Sequence, residues 1–158
     1  AKISAMGIRY SALPGHTTEL ANALNEVLSS KWRDLRGFEI AITEAKPLCI
    51  MSSYNKINGI WNHYNYELCT AILRGEWGYK GLIITDWWMR EGGNPEFPNI
   101  TNDACRVRAQ VDVLMPGEVP NLTLQASLKD PDGVKKSEAQ RCALNVINFI
   151  LNLKALKK

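Results

Sequence analysis

The stretch Gly81-Leu82-Ile83-Ile84-Thr85-Asp86-Trp87-Trp88 decides the fold class of this chain. Its short and nearly continuous apolar run is the pattern of a buried strand in a parallel sheet. The strand presents Asp86 at its carboxyl end, directly before two tryptophans. A charge in that place is uncommon, and in α/β barrels the carboxyl ends of the strands carry the chemistry. Asp86 is therefore the first candidate for a functional residue.

Two further apolar runs predict neighbouring strands. Residues 48–51 follow a helical pattern that ends at Pro47, because proline removes a backbone donor and biases its predecessor away from helix. We expect this strand to be buried on both faces. Residues 111–115 are the third predicted strand, and Pro116 and Gly117 close it.

Helical patterns separate the strands. The apolar spacing predicts helices over residues 17–45 (two helices or one broken helix), 66–74, 103–110 and 137–156. Gly75 and Gly78 are expected to stop the second of these helices. Residues 52–65 and 90–102, and the polar connection after Gly117, are predicted to be loops.

The alternation of helices and strands predicts an α/β fold with a parallel sheet. The glycine motifs of nucleotide-binding α/β folds, GxGxxG and GxxxxGK[ST], do not occur in the sequence. We therefore predict a partial (β/α)8 TIM-type barrel, with parallel strands alternating with helices. About half of an eight-stranded barrel leaves two sheet edges unpaired. The chain is therefore expected either to belong to a larger chain or to close its barrel as a homodimer.

Composition limits the class of partner. The 158 residues suffice for one domain or part of one, and 19 basic against 16 acidic residues give a net charge of +3. The excess lies mainly in the lysines near the carboxyl terminus, so a solvated helix end explains it better than a nucleic-acid site. No apolar run approaches the roughly 20 residues of a membrane span. We expect neither a nucleic acid nor a membrane as partner.

The four cysteines stand singly, as Cys49, Cys69, Cys105 and Cys142, without the CxxC or CxxH spacing of a zinc site. Neither a metal nor a cofactor is therefore expected. Cys49 and Cys142 lie in apolar runs, where a free thiol behaves as a small hydrophobe. Reduced core cysteines predict a cytoplasmic protein.

A carboxylate at a strand end beside indole rings suits attack on a sugar. Asp86 could attack an anomeric carbon while a neighbouring ring stacks on the apolar face of the pyranose. An aspartate in such a place can also cap the next helix or pair with a lysine. The local pattern leaves both alternatives open.

Residues 46–89, KPLCIMSSYNKINGIWNHYNYELCTAILRGEWGYKGLIITDWWM, resemble glycoside hydrolase family 3 almost throughout. Three family motifs occur in order: M-x-S-Y-N-x-x-N-G at residues 51–59, L-R-x-E-W-G-[FY]-x-G-L at 73–82, and [ST]-D-W at 85–87. The resemblance is strongest over residues 27–117. It implies that residues 1–158 are a partial barrel domain of this family, the second and nucleophile-bearing half.

The resemblance also implies an activity, that of a retaining β-glucosidase, which removes terminal non-reducing β-D-glucosyl residues from a β-glucoside or a cello-oligosaccharide. Asp86 would be the nucleophile that forms the covalent glycosyl-enzyme. Tyr54 would approach that carboxylate and the sugar, and Met51 and Trp87 would line the glucose subsite. For Met51 and Trp87 the alternative is packing. Side chains alternate along a strand, so Trp88 is expected to point away from Trp87 and to act through packing.

Other residues of the matched region have predicted structural roles. His63 is expected to make a polar contact within a loop. Asn55 and Asn58 are expected to shape a turn, because asparagine tolerates the left-handed conformation. Trp77 is expected to pack where the chain turns into the Asp86 strand.

The sequence departs from the family in two respects. Residues 1–26 contain no Lys-His pair, which in the family holds sugar hydroxyls. The general acid/base of the β-glucosidase branch usually lies on a separate domain, and nothing in the match gives that role to Glu91, Glu96 or Glu118. Proton donation is typically worth about 10² to 10⁴ in rate. The alternative function is therefore a catalytically degenerate carbohydrate-binding or structural fragment.

Overall fold

A computed structural model describes residues 35–117 and 121–153. The chain divides into two compact units, Ala1–Ile40 and Ala41–Lys158. The first unit is described only over residues 35–40, which are helical and contain an ion pair of 2.8 Å between Arg36 and Glu39. The helical prediction covers residues 17–45, and its part over residues 17–34 lies outside the described residues. The second unit contains the sheet.

The described part of the second unit has five strands: β1 (Cys49–Met51), β2 (Lys56–Ile57), β3 (Ile60–Trp61), β4 (Leu82–Trp87) and β5 (Val113–Met115). β1, β4 and β5 form a parallel sheet in the order β1-β4-β5. The register pairs Cys49 with Leu82 and Ile84 with Val113. The three predicted strands are confirmed, and their parallel direction brings their carboxyl ends to one edge of the sheet.

Helices connect the parallel strands. A π-helix, Glu67–Glu76, lies between β1 and β4, and α1 (Asn102–Arg108) lies between β4 and β5. After β5 come α2 (Leu122–Ser127) and α3 (Lys136–Asn152). A shorter π-helix, Ala41–Ala45, ends before Pro47, as the sequence predicts. The predicted alternation of helices with parallel strands is confirmed over these residues.

Two clusters of buried side chains hold these elements together. One consists of Tyr64, Ile100, Ala104, Cys105, Val107, Val134 and Cys142. The other consists of Ile42, Cys69, Leu73, Tyr79, Ile83 and Val111, and the predicted packing of Trp77 is confirmed because its ring lies against this cluster. All four cysteines are free thiols, and three of them are buried as small apolar side chains.

A buried ion pair fixes the start of β4. The Asp112 carboxylate accepts hydrogen bonds from Arg74 at 2.7 Å, from the Ile83 N–H at 2.8 Å and from Asn145 at 2.8 Å. Arg74 also donates to the Gly81 carbonyl at 3.1 Å. A buried pair is tolerated when further hydrogen bonds satisfy its polar atoms, as they do here. The network ties the longer π-helix, β4 and α3 to one carboxylate.

Strand β1 is not buried on both faces, contrary to the prediction. Cys49 and Ile50 are half-buried, and Met51 is 54% exposed. The physical reason is its position, because β1 pairs only with β4 in the described sheet and so lies at an edge. An apolar run alone does not distinguish a central strand from an edge strand.

Residues 52–65 contain a hairpin rather than only a loop. Strands β2 and β3 pair across Asn58 and Gly59, whose φ angles of 54° and 81° are left-handed, as a type I′ turn requires. The predicted turn role of Asn58 is confirmed. The Lys56 ammonium lies 4.3 Å from the centroid of the Trp61 ring opposite it, which adds a cation–π contact to the pair.

The helix after the hairpin differs from the prediction in length and type. It continues through Gly75 to Glu76, so Gly75 does not stop it. Gly78 lies beyond its end with φ of 67°, a conformation that glycine adopts without strain. The Trp77 N–H donates to the Ile72 carbonyl five residues earlier, at 2.9 Å, which is the π-helical spacing.

The connection after β5 is corrected as well, because it contains α2. Asn121 caps this helix, since its side-chain oxygen accepts from the Leu124 N–H at 2.8 Å. The last predicted helix is confirmed as α3, but Cys142 is its only fully buried residue among those described. None of the helices in the described ranges is long and apolar enough to cross a membrane.

Candidate active site

The carboxyl ends of β1 and β4 bring Tyr54 and Asp86 together. The Ser52 N–H donates to the Ile84 carbonyl at 2.9 Å, so the parallel pairing continues past the end of β1. Tyr54 follows two residues later, and its hydroxyl donates to the backbone carbonyl of Trp87 at the end of β4. The same hydroxyl lies within hydrogen-bonding reach of the Asp86 carboxylate. Two residues that are 32 positions apart therefore meet at one sheet edge.

The Tyr54 phenol is a hydrogen-bond donor at neutral pH. Desolvation, the negative charge of Asp86 and the hydrogen bond to it raise the pKa of Tyr54 above its ordinary value. The proton is therefore retained and can be shared between the Trp87 carbonyl and the carboxylate. The predicted role of Tyr54 toward a sugar stays a prediction.

Asp86 is half-buried and stands on β4, where the pairing with β5 shifts register between Ile84 and Trp87. β4 runs on through Trp87, and one Asp86 carboxylate oxygen accepts from the Trp87 N–H at 2.8 Å. Thr85, just before it, is fully buried, and its hydroxyl accepts from the Met115 N–H at 2.8 Å. Because the end of β4 is fastened to β5 in this way, a partly accessible carboxylate is held on a rigid element.

Met51 and Trp87 are exposed at the same edge of the sheet. Trp87 is 38% exposed and Met51 is 54% exposed. Both side chains are therefore accessible to a ligand, and neither belongs to a buried cluster in the described residues. Their predicted contact with glucose stays a prediction.

Trp88 does not pack, contrary to the expectation. Its side chain is 76% exposed, and its backbone is left-handed, with φ of 51°. The Trp88 N–H donates to the Met115 carbonyl at 3.0 Å, which holds this conformation. The alternation argument fails because β4 ends at Trp87, and a left-handed residue no longer follows the strand geometry.

His63 is fully buried, which corrects its predicted role as a polar loop contact. It lies in a 3-10 helix, Asn62–Tyr64, with its ring centroid 3.9 Å from that of Tyr64. Neither ring nitrogen makes a hydrogen bond of good geometry. Burial lowers the pKa of His63 to about 4, the nearby Arg90 carbonyl opposes this, and Arg106 adds to it. His63 is therefore neutral at pH 7.

Asn62, which contacts both neighbours of Tyr54, was not among the predicted site residues. The buried Asn62 side chain donates to the Ser53 hydroxyl at 2.8 Å, and the backbone N–H of Asn62 donates to the Asn55 carbonyl at 3.1 Å. The only signal in the sequence is that Asn62 follows directly on a hairpin with an Asn-Gly turn, which returns the chain toward Tyr54.

Two of the three glutamates considered for the general acid fall within the described residues. Glu91 and Glu96 are exposed on the segment after β4, and Glu118 lies outside the described residues. Over residues 35–117 and 121–153, no group of three or more His, Cys, Asp or Glu side chains could hold a metal ion.

Comparison with known proteins decides the family. A family model described as the glycosyl hydrolase family 3 N terminal domain matches residues 11–140. The chain belongs to glycosyl hydrolase family 3. A β-glucosidase of Ruminococcus albus is 37% identical over 127 residues, which are 78% of this chain and 13% of that protein. β-Glucosidase B of Emericella nidulans is 43% identical over 102 residues, 65% of this chain and 10% of that protein.

Solved structures of the family resemble this chain as well. The β-glucosidase of Paenibacillus barengoltzii superposes with a TM-score of 0.67 and 38% identity, over 78% of this chain and 14% of that one. β-Glucosidase 3B of Thermotoga neapolitana, solved in complex with glucose, gives a TM-score of 0.62 and 30% identity, over 78% and 17% of the two chains. The family 3 chain described here thus spans only about a seventh of the length of such relatives.

Proposed function

We propose that this chain is the nucleophile-bearing part of a retaining β-glucosidase and that Asp86 is the nucleophile. One observation carries the proposal: a half-exposed carboxylate stands at the end of a central parallel strand with a phenol donor beside it. Exposed Met51 and Trp87 offer apolar surface for a pyranose at the same edge. The names of the relatives, which are β-glucosidases, support a β-glucoside as substrate.

In the proposed first step, an Asp86 oxygen attacks the anomeric carbon of the glucoside. The bond from that carbon to the glycosidic oxygen breaks, and the leaving oxygen takes its proton from an acid that is not assigned among the described residues. Water then attacks the same carbon and gives its proton to the group that acted as acid in the first step. The bond to Asp86 breaks, which releases glucose and returns the electron pair to the carboxylate. Tyr54 acts as a hydrogen-bond donor that orients the carboxylate before the attack.

We also propose that the described sheet is part of a (β/α)8 barrel. Three parallel strands with helices between them have the local order of such a barrel. β1 and β5 lie at the edges of the described sheet and would pair with strands from the remainder of a larger chain. A second copy of the chain is the alternative, and sedimentation of the purified 158 residues separates the two: a monomer favours the larger chain.

The experiment for Asp86 uses a leaving group that needs no acid. The protein is incubated with 2,4-dinitrophenyl 2-deoxy-2-fluoro-β-glucoside, and intact mass and peptide mapping are recorded. We expect one fluoroglucosyl adduct on Asp86 and none in Asp86→Asn. An adduct on another residue would overturn the assignment. So would the absence of an adduct in a longer natural chain that contains this sequence and hydrolyses β-glucosides.

One observation favours a second candidate, a carbohydrate-binding fragment without activity: residues 1–26 contain no Lys-His pair. Calorimetric titration with glucose and cellobiose, beside turnover of an aryl glucoside, separates the candidates. Binding without turnover favours the fragment, and clear turnover by the 158 residues excludes it. We further propose a cytoplasmic location, supported by four free thiols, which thiol trapping in intact cells would test.

A further inference from the structure

The 3-10 helix Asn62–Tyr64 contacts both segments that carry the candidate site. On the β1 side, Asn62 holds the two neighbours of Tyr54: its side chain donates to the Ser53 hydroxyl at 2.8 Å, and its N–H donates to the Asn55 carbonyl at 3.1 Å. Tyr54 is thus fastened on both sides while its own ring stays 44% exposed.

On the β4 side, Tyr64 holds the segment after Trp88. Its hydroxyl donates to the Arg90 carbonyl at 3.0 Å, and its own carbonyl accepts from the Asn94 side chain at 3.1 Å. Gly92 lies against the Trp61 and Tyr64 rings so closely that a Cβ there would approach ring atoms at 3.2 Å and 3.5 Å. Burial raises the pKa of Tyr64, which keeps its hydroxyl protonated and able to donate.

The three residues of this helix are nearly inaccessible, with Asn62 8%, His63 0% and Tyr64 5% exposed. Four of the six buried polar atoms without a partner in the described residues lie at this helix or at Ser52, namely Ser52 Oγ, Asn62 Oδ1 and both His63 nitrogens. Unsatisfied buried polar atoms are costly and few in folded proteins, so a group of them calls for an explanation. This cluster lies beside the candidate site.

We propose that the helix Asn62–Tyr64 is a clamp that sets the position of Tyr54 relative to Asp86, with Asn62 as the positioning residue. The inference rests on the proposed function of Asp86 as nucleophile. Asn62 holds the Ser53 side chain and the Asn55 backbone, on the two sides of Tyr54. Tyr64 holds the chain that leaves β4. The clamp therefore joins the two segments through buried contacts rather than through the exposed side chains of the site.

The test compares Asn62→Ala and Ser53→Ala, singly and together, with Asn145→Ala as the matched control. Asn145 also makes a side-chain hydrogen bond of 2.8 Å, but to Asp112 at the opposite end of β4. The first readout is the rate of covalent labelling by the fluoroglucoside. A small displacement of a reacting group costs up to about 10² in rate, so we expect Asn62→Ala to slow labelling roughly 10- to 100-fold and Asn145→Ala to leave it unchanged.

The single hydrogen bond between Asn62 and Ser53 makes a second prediction. Ser53→Ala should slow labelling, the double variant should be no slower than Asn62→Ala, and Ser53→Thr, which keeps the hydroxyl, should retain the parent rate. Ser53 is only half-buried, so Ser53→Ala and Ser53→Thr together test the clamp even if Asn62→Ala does not fold. Additive effects, or equal slowing by Asn145→Ala, would overturn the proposal.

A readout that needs no chemistry separates this proposal from the proposed function. Spectrophotometric titration, taken as the difference from Tyr54→Phe, follows the Tyr54 phenol alone. Desolvation and then the Asp86 carboxylate raise its pKa, so loosening the clamp should lower that pKa toward the ordinary value. If the parent is never labelled yet the shift occurs, the clamp stands and the nucleophile assignment fails. If labelling occurs and neither Asn62→Ala nor Ser53→Ala changes the labelling rate or the Tyr54 pKa, the clamp proposal fails and the nucleophile assignment stands.

Discussion

An aspartate carboxylate lies at each end of strand β4, and the two carboxylates have opposite surroundings. At its start, Asp112 is 7% exposed and accepts hydrogen bonds from Arg74, the Ile83 N–H and Asn145. At its end, Asp86 is half-buried, accepts from the Trp87 N–H and lies in reach of the Tyr54 phenol. The first carboxylate is enclosed by donors from three elements, and the second is bounded by two neighbouring groups at an exposed edge.

The difference separates a structural carboxylate from the one that we propose to be the nucleophile. Asp112 has an arginine and an amide on its oxygens, so attack on a substrate would first require breaking a buried network. Asp86 keeps a defined orientation with accessible surface, which a nucleophile needs. The division follows the direction of the sheet, since the amino ends of parallel strands serve stability and the carboxyl ends carry sites.

The largest expected effect is that of Asp86→Asn. The amide keeps the shape and the hydrogen bond from Trp87 but cannot form the covalent intermediate. We expect glucoside hydrolysis by the longest natural chain that contains this sequence to fall at least about 10³-fold. The free energy of unfolding should stay within about 0.5 kcal/mol of the parent. A variant that keeps most of its activity would remove the distinction between the two ends of β4.

Asp112→Asn should give the converse result. It leaves the buried Arg74 guanidinium without its counter-ion, and removing one partner of a buried pair typically costs about 3–5 kcal/mol. Urea denaturation should show this loss, with an unchanged labelling rate for the fraction that is folded. If Asp112→Asn were as stable as the parent but inactive, the amino end of β4 would also belong to the site.

His63 sharpens the comparison, because it is a fully buried titratable group at the carboxyl end of the sheet. Burial lowers its pKa to about 4 from an ordinary 6.5, with Arg106 adding to this. The unfolded chain therefore binds a proton that the folded chain does not between these values. The contribution of neutral His63 to the free energy of unfolding is fully present above pH 6.5 and is lost as the pH falls to about 4. The loss is on the order of 3 kcal/mol.

Denaturant titrations of the parent and His63→Gln across this pH range measure the effect. The parent should lose stability on acidification more steeply than the variant, by about one proton. Parallel curves would mean that His63 reaches solvent or finds a partner in the folded state.

The sequence predicted the three parallel strands because each is a compact apolar run, and this pattern is recognisable without knowing how the strands pair. The hairpin was missed although Asn58-Gly59 is its signal, because the surrounding polar residues favoured a loop. α2 has only the Asn121 cap to mark it, which is weak without apolar spacing. For the site, the motif match led to Asp86 and Tyr54, and the charge of Asp86 is among the causes that raise the pKa of Tyr54. Burial of Asn62 and His63 depends on tertiary packing and leaves no local pattern.

The smallest expected effect concerns Trp88, where a packed and an exposed tryptophan predict different stabilities. Truncating a packed tryptophan to alanine lowers the free energy of unfolding by about 3–5 kcal/mol. Truncating Trp88, which is 76% exposed, should lower it by no more than about 0.5 kcal/mol. Trp88→Gly should even match or exceed the parent. A left-handed residue other than glycine costs roughly 1–2 kcal/mol, which outweighs the roughly 0.5–1 kcal/mol of extra chain entropy that glycine brings to the unfolded state. Both variants keep the N–H that donates to Met115. Urea denaturation of Trp88→Ala and Trp88→Gly measures these stabilities, and glucoside affinity is measured for both beside Trp87→Ala. A loss of 2 kcal/mol or more in the free energy of unfolding of Trp88→Ala would restore a packing role for Trp88.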